Sequence, residues 1–326
     1  MRRVDAADIW EGICESAWAC GDPGLVFLDT INRDNPLPDL GRLNCTNPCG
    51  ELPLFPYESC NLGSLNLARM LREDARGKPE IDWALLGETI EKAVRFLDDV
   101  IEVNTFPLPE VRHISLANRK IGLGVMGWAE CLLRIGIPYA SGDAIALADR
   151  LMAFISRKSR AASESLGRLR GCFPNQEQNR IDGEVCRRNA TLNSIAPTGS
   201  ISVIAGTTYS IEPFYALAYK RSGILNGQEQ VLMEPAAREV LEHLGYWNPA
   251  VADTIRERGS VASLQALPTE LRKRLQTAHE IHWRDHLKHQ QAFQRHTDNA
   301  VSKTINLPSE TAQEEISQLF FEAWEM

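Results

Sequence analysis

The sequence predicts an α/β fold with parallel strand pairing, on three observations. Strand-like segments alternate with helical ones along most of the chain. Several helical stretches are long and strongly periodic in apolar residues. The composition, 44% hydrophobic and 24% charged, is that of a globular protein. A length of 326 residues allows about two domains or one large barrel.

Residues 7–20 place Ile9, Trp10, Ile13, Ala17 and Trp18 on one helical face, and Gly21-Asp22-Pro23 ends that helix. From Asn32 to Pro56 the chain is aperiodic and Pro-rich, a loop length that is usually functional when ordered. Cys60–Leu67 reads as a strand. Asp82 is placed to cap a long amphipathic helix carrying Leu86, Ile90, Ala93, Val94, Leu97 and Ile101. Lys120–Met126 reads as a strand, Trp128–Ile135 as the helix after it, and 142–166 as another long helix. Thr191–Ala196 is a further predicted strand, with a tight turn at Pro197-Thr198-Gly199-Ser200 and a helix opening behind it. Helices are predicted near 232–244 and 279–297, a strand at Val301–Leu307, and a last helix from Ser309 or Glu310.

The 35 basic and 43 acidic residues leave a net charge of -8 and a pI near 5.5, which weighs against a dedicated nucleic-acid surface. No apolar run approaches the ~20 residues of a membrane helix, and mean hydropathy is -0.25. The opening Met-Arg-Arg-Val-Asp-Ala-Ala-Asp lacks the apolar segment of a secretory signal, so a soluble, cytoplasmic protein is expected. Its eight cysteines contain no Cys-x-x-Cys, and the Cys45, Cys49, Cys60 spacing fits no common zinc pattern. A disulfide framework is not expected in a reducing compartment, and most of the eight are expected to be buried thiols.

Three features could carry chemistry. Gly122-x-Gly124-x-x-Gly127 matches a dinucleotide fingerprint, but the window where its acid-ending second strand belongs is turn-like, Gly136 to Asp143. Close strand–helix packing accounts for these glycines. His279, His282, His286 and His289 share one face of the helix predicted there. No acidic residue completes a metal site and Arg284 and Lys288 oppose a cation, so a partly exposed polar stripe is expected. In Asn47-Pro48-Cys49-Gly50-Glu51, an amide, a thiol and a carboxylate alternate, and in an extended loop all three project the same way.

Residues Asn47 to Leu67, Asn-Pro-Cys-Gly-Glu-Leu-Pro-Leu-Phe-Pro-Tyr-Glu-Ser-Cys-Asn-Leu-Gly-Ser-Leu-Asn-Leu, resemble the active-site segment of ribonucleotide reductases, most closely the adenosylcobalamin-dependent class II. Gly21–Leu25, Ile121–Gly127, Ala196–Ser202, Ile211-Glu212-Pro213 and Asp298–Asn306 match further family segments in family order. The resemblance implies the second half of a ten-stranded α/β barrel. It divides the chain into an N-terminal helical segment (1–31), an active-site loop (32–58) and a half-barrel (59–326) lacking its last strand. It implies adenosylcobalamin as cofactor, with Cys49 becoming a thiyl radical that abstracts the ribose 3′-hydrogen. Glu51 is implied as the base at the 3′-hydroxyl, Asn47 as a hydrogen-bonding group and Cys60 as a reducing cysteine.

By the same resemblance Ala196, Pro197, Thr198, Gly199, Ser200 and Ile201 hold the substrate phosphates. The physics agrees: a helix start presents free N–H donors, Gly199 permits close approach, and Thr198 and Ser200 add hydroxyls. The implied partners are a ribonucleoside diphosphate or triphosphate, a dithiol reductant such as thioredoxin, and a chain supplying the missing half-barrel with the partner of Cys60. The alternative is a non-catalytic remnant or interaction subunit of a split reductase.

Overall fold

The computed structural model describes residues 3–178, 185–224 and 228–326. Helix α1 (Ala6–Cys20) starts where the Asp5 carboxylate accepts the Ala7 N–H and stops at Gly21, whose φ of 83° only glycine adopts freely. After α2 (Leu28–Arg33) come two short antiparallel strands, β1 (Cys45–Thr46) and β2 (Pro53–Leu54), then β3 (Asn61–Asn66). A small hairpin, β4 (Leu71–Glu73) and β5 (Pro79–Ile81), leads into α3 (Trp83–Val103), capped by Asp82 as predicted. Then follow α4 (Pro109–Asn118), β6 (Ile121–Met126), α5 (Trp128–Ile135), α6 (Gly142–Arg170), α7 (Pro174–Gln178) and α8 (Gly199–Ala205). A hairpin of β7 (Ala218–Ile224) and β8 (Gln228–Met233) precedes α9 (Pro235–His243), α10 (Pro249–Arg258), α11 (Thr269–Arg274), α12 (Trp283–Gln294) and α13 (Gln313–Glu325).

The expected parallel pairing is present. β3 pairs with β6 in register from Asn61↔Ile121 to Asn66↔Met126. Leu123 bridges Asn193 and Ile195 bridges Val301, both parallel, so residues 191–195 and 300–302 extend the sheet. The four segments are the open sheet of a half-barrel. The predicted strands are shorter here: 191–196 and 301–307 contribute single bridges, and 302–307 forms no strand.

Alternation along β6 gives the sheet two unlike faces. Ile121, Leu123 and Val125 point into the main core with Leu86, Ile90 and Val94 of α3 and Leu147, Leu151 and Ile155 of α6. Burying each such side chain contributes roughly 1.5–3 kcal/mol. Gly122 and Gly124 lie on the opposite face, where a Cβ on Gly122 would meet Leu62 and Ser194 and one on Gly124 would collide with the Ser194 carbonyl. Strand–strand packing, rather than strand–helix packing, therefore explains two of the three motif glycines.

Several expectations change. The 279–297 helix is broken into a 3-10 turn at Ala278–Glu280 and α12, so the four histidines do not share one helix face. His286 and His289 are buried instead of forming an exposed stripe. The His286 Nε2 lies 3.1 Å from the Ala278 carbonyl, and the His289 Nε2 lies 3.0 Å from that of Tyr139. Desolvation lowers both imidazoles to about 3, keeping them neutral. Cys172 and Cys186 are disulfide-bonded, not ordinary thiols, because Cys186 packs against Gly167 near the end of α6. Among the free cysteines Cys14 and Cys131 are buried, Cys60 is half-buried with its sulfur turned inward, and Cys20, Cys45 and Cys49 are exposed. Ile9 and Trp18 of α1 are also exposed, since the helix docks on α13 through Trp10 and Phe320. Helix α13 starts at Gln313, a few residues later than predicted.

Candidate active site

The predicted loop at 32–56 is a hairpin at its functional end. Asn47 donates its N–H to the Leu52 carbonyl (3.2 Å), and its side-chain Oδ1 accepts the Leu52 N–H (3.0 Å). The Gly50 N–H closes a turn onto the Asn47 carbonyl at 3.0 Å, with Gly50 at φ 83°. This turn overturns the extended-loop reading: Asn47, Cys49 and Glu51 do not project together. Cys49 is exposed at the tip, while Glu51 is 2% exposed.

Glu51 pins the tip to the sheet through its backbone. Its carbonyl accepts the Ala300 N–H and the Ser194 hydroxyl, both at 2.9 Å. The hairpin is thus tied to the strands at 191–195 and 300–302. One carboxylate oxygen of Glu51, Oε2, is buried without a hydrogen-bond partner. A buried unpartnered acceptor in a native fold calls for a donor from outside these residues.

Cys60 lies at the entrance to β3, on the face of Gly122; a Cβ there would stand 3.6 Å from its sulfur. Burial pushes its thiol well above the ordinary range, with Lys120 opposing and Glu58 reinforcing the shift. Its sulfur is therefore held as S–H. The structure brings Glu51 and Cys60 to the same sheet face and sets Cys49 on the exposed tip above it.

Ala196 is buried at the end of its strand, Pro197 is exposed, and Thr198 takes φ 56°. The first intrahelical bond runs from the Ser202 N–H to the Thr198 carbonyl at 3.0 Å, so the N–H groups of Gly199, Ser200 and Ile201 precede it on an exposed surface. The Thr198 hydroxyl is committed differently from expectation. Its oxygen accepts the Ser210 N–H at 2.8 Å and sets the turn against the following loop.

Sequence reasoning missed Ser194, Glu58 and Lys120. Glu58 falls in the matched segment and Lys120 opens a predicted strand; a charge inside each apolar context was the available signal. Ser194 carried none. Among the described residues, no cluster of His, Cys, Asp and Glu could hold a metal, and no helix is long and apolar enough to cross a membrane.

Parallel half-barrel sheet, cysteine hairpin and the turn at 197–201 together define a recognisable class. Residues 1–187 and 183–326 match the ribonucleotide reductase barrel domain, and the chain belongs to that family. It is 47% identical over 324 residues to a vitamin B12-dependent ribonucleoside-diphosphate reductase of Mycobacterium tuberculosis (strain CDC 1551 / Oshkosh), covering 99% of this chain and 46% of that protein. The enzyme of the same name from Thermoplasma acidophilum is 44% identical over 321 residues, covering 98% and 41%. The chain spans about half the length of these curated relatives. A class Id ribonucleotide reductase alpha subunit from Actinobacillus ureae shares the fold, with a TM-score of 0.82 at 24% identity over 98% of this chain and 59% of that one.

Proposed function

We propose that this chain provides the radical-bearing half of an adenosylcobalamin-dependent, cytoplasmic reductase of ribonucleoside diphosphates or triphosphates. The observation that carries the reading is the hairpin: an exposed thiol on a tip beside Glu51, whose backbone carbonyl is tied to the sheet and whose Oε2 is buried without a partner among the described residues. The cofactor supplies, when bound, an organic radical able to take a hydrogen atom from a thiol. Cys49 is the residue that would meet it, and its exposure fits that role.

As a thiyl, Cys49 takes the 3′-hydrogen of the ribose. Glu51 Oε2 accepts the 3′-hydroxyl proton, and the Nδ2 group of Asn47, which has no partner among the described residues, is available to the sugar. The 2′-hydroxyl leaves as water with a proton from one of the two reducing thiols, and Cys49 at the end returns its hydrogen to C3′. Cys60, held as a thiol, and a second thiol outside this sequence supply the two reducing equivalents and become a disulfide. A dithiol such as thioredoxin resets it. The N–H groups of Gly199, Ser200 and Ile201 receive the phosphates.

Further protein covers the open face. β3 pairs with β6 alone among the described residues, and Leu62, Ile201, Val203 and Ile204 are exposed around the site, Ile204 by 85%. A thiyl on an open sheet would be quenched by solvent and oxygen. Deoxynucleotide yield under anaerobic conditions tests the reading, with adenosylcobalamin, nucleotide and dithiol present. Product is expected only when a chain supplying the first half-barrel is added, and none with Cys49→Ser. Substantial turnover by that variant removes Cys49 from its role.

A further inference from the structure

The tip of the hairpin is held by Glu51, but a lever also needs a fixed base, and the base is built around a buried ion pair. Lys120 and Glu58 meet at 2.7 Å with side chains 1% and 0% exposed. Both reach the outgoing strand of the hairpin. The Lys120 ammonium donates to the Pro53 carbonyl at 3.3 Å and stands 4.9 Å from the centre of the Phe55 ring. The Glu58 carboxylate accepts the Phe55 N–H at 2.9 Å, and its other oxygen accepts the Asn118 side-chain amide at 2.6 Å. The Glu58 N–H in turn donates to the Phe55 carbonyl at 3.1 Å, closing a turn that holds Tyr57 at φ 64°.

The pair also reaches the second thiol. Asn61 is registered with Ile121, which sets Cys60 beside Lys120 at the mouth of the sheet. One ion pair therefore joins three pieces: the strand carrying Glu51 away from the tip, the first residue ahead of β6, and the entrance of β3. A buried pair is costly to form and adds little net stability over apolar residues of similar volume, so its presence here calls for a reason other than stability.

We propose that Lys120 and Glu58 are positioning residues, fixing the hairpin base so that the Cys49 tip and Cys60 keep one relative placement during hydrogen transfer. The placement of the hairpin is a statement about this chain by itself; its use in hydrogen transfer rests on the reductase reading above. A group held at two points keeps its direction as well as its location, and transfer between positioned atoms is sensitive to both.

Hydrogen exchange of the chain tests the first part. The Asn47, Gly50 and Leu52 amides are hydrogen-bonded within the hairpin. In Lys120→Met/Glu58→Gln, which removes both charges together and leaves no buried ion unpaired, these amides are expected to exchange at least ~10-fold faster, with β6 and α6 unchanged. Glu58→Gln alone is expected to show the same local loosening or to unfold; if it unfolds, the double variant decides. Unaltered hairpin exchange in the folded double variant overturns the proposal, as does equal loosening of β6 and α6.

The second part is read in the assembled reductase. The double variant is expected to lower kcat at least ~10-fold and to leave KM for nucleotide within about 2-fold. Equal loss through KM, or unchanged kcat, overturns the positioning role. Absence of reduction by the unsubstituted assembly refutes the reductase reading instead, and the exchange result still stands for the hairpin.

Discussion

The Cys49 hairpin and the Pro197–Ile201 turn both lean on the strand at 191–195, yet they are built on opposite rules. In the hairpin backbone, Asn47, Gly50, Glu51 and Leu52 are tied to one another or to neighbouring strands, and its base is clamped by buried charge. In the turn, Thr198 commits its hydroxyl oxygen to Ser210, and the N–H groups of Gly199, Ser200 and Ile201 have no backbone partner among the described residues. A centre that must deliver one atom to one place has its own backbone polar groups satisfied. A centre that must receive an anion leaves donors unsatisfied until the anion arrives.

The severest way to break this contrast is at the second thiol. Cys60→Ser is expected to abolish multi-turnover reduction while leaving the 3′-hydrogen step, seen as isotope exchange, in place. Normal multi-turnover reduction in that variant would remove Cys60 from the reducing role.

Acid is the next largest probe, because the turn is underpinned from below. Ser210 and Glu212 follow α8, and Glu212 pairs with Lys303, whose ammonium also meets the His286 Nδ1 at 3.0 Å. His286 and His289 bind protons near pH 6.5 when unfolded but only near pH 3 when folded. Between those values the unfolded chain holds more protons. Stability is therefore greatest above pH 6.5 and falls as pH drops toward 3, by on the order of 2 kcal/mol per imidazole at pH 5. Urea midpoints at pH 7.5 and 5 measure this; coincident midpoints would show that the imidazoles protonate freely in the folded chain.

The smallest expected effect sharpens the turn itself. Nothing stands within 4 Å of a Cβ built on Gly199, so Gly199→Val leaves the fold intact and obstructs only the approach of phosphate. Nucleotide binding is expected to weaken at least ~10-fold, about 1.4 kcal/mol, with nucleoside binding nearly unchanged. Equal losses for both ligands would make the turn a structural cap.

Much of this architecture was legible in the sequence. The 82–103 helix, the 120–126 strand and the 128–135 helix were readable because periodicity, capping and burial agree there. The hairpins β4–β5 and β7–β8 and the helix α4 were not read, because their residues carry no dominant period. Within the site, residue identities were legible and directions were not. A single positive φ at Gly50 cancels the alternation that would have aligned Cys49 with Glu51. Helical spacing likewise placed His286 and His289 near one another but could not say that their face points inward, beside Trp128 and Tyr139. The Cys172–Cys186 bond depends on a chain reversal that brings the two Cα atoms to 5.1 Å, and no spacing rule reports it.

The glycines at 122 and 124 differ in what surrounds them, and that difference bears on how the gene can drift. At position 122 the atoms in the way are the Leu62 Cδ2, which can turn aside, and the Ser194 Cβ, which a smaller residue would remove. At position 124 the obstacle is the Ser194 carbonyl, part of the strand itself. A methyl group at 122 asks neighbours to rearrange; the same methyl at 124 asks two strands to separate. Ancestry can therefore accept alanine at 122 once residue 194 is reduced and Leu62 turns aside, while alanine at 124 requires the strand backbone itself to move.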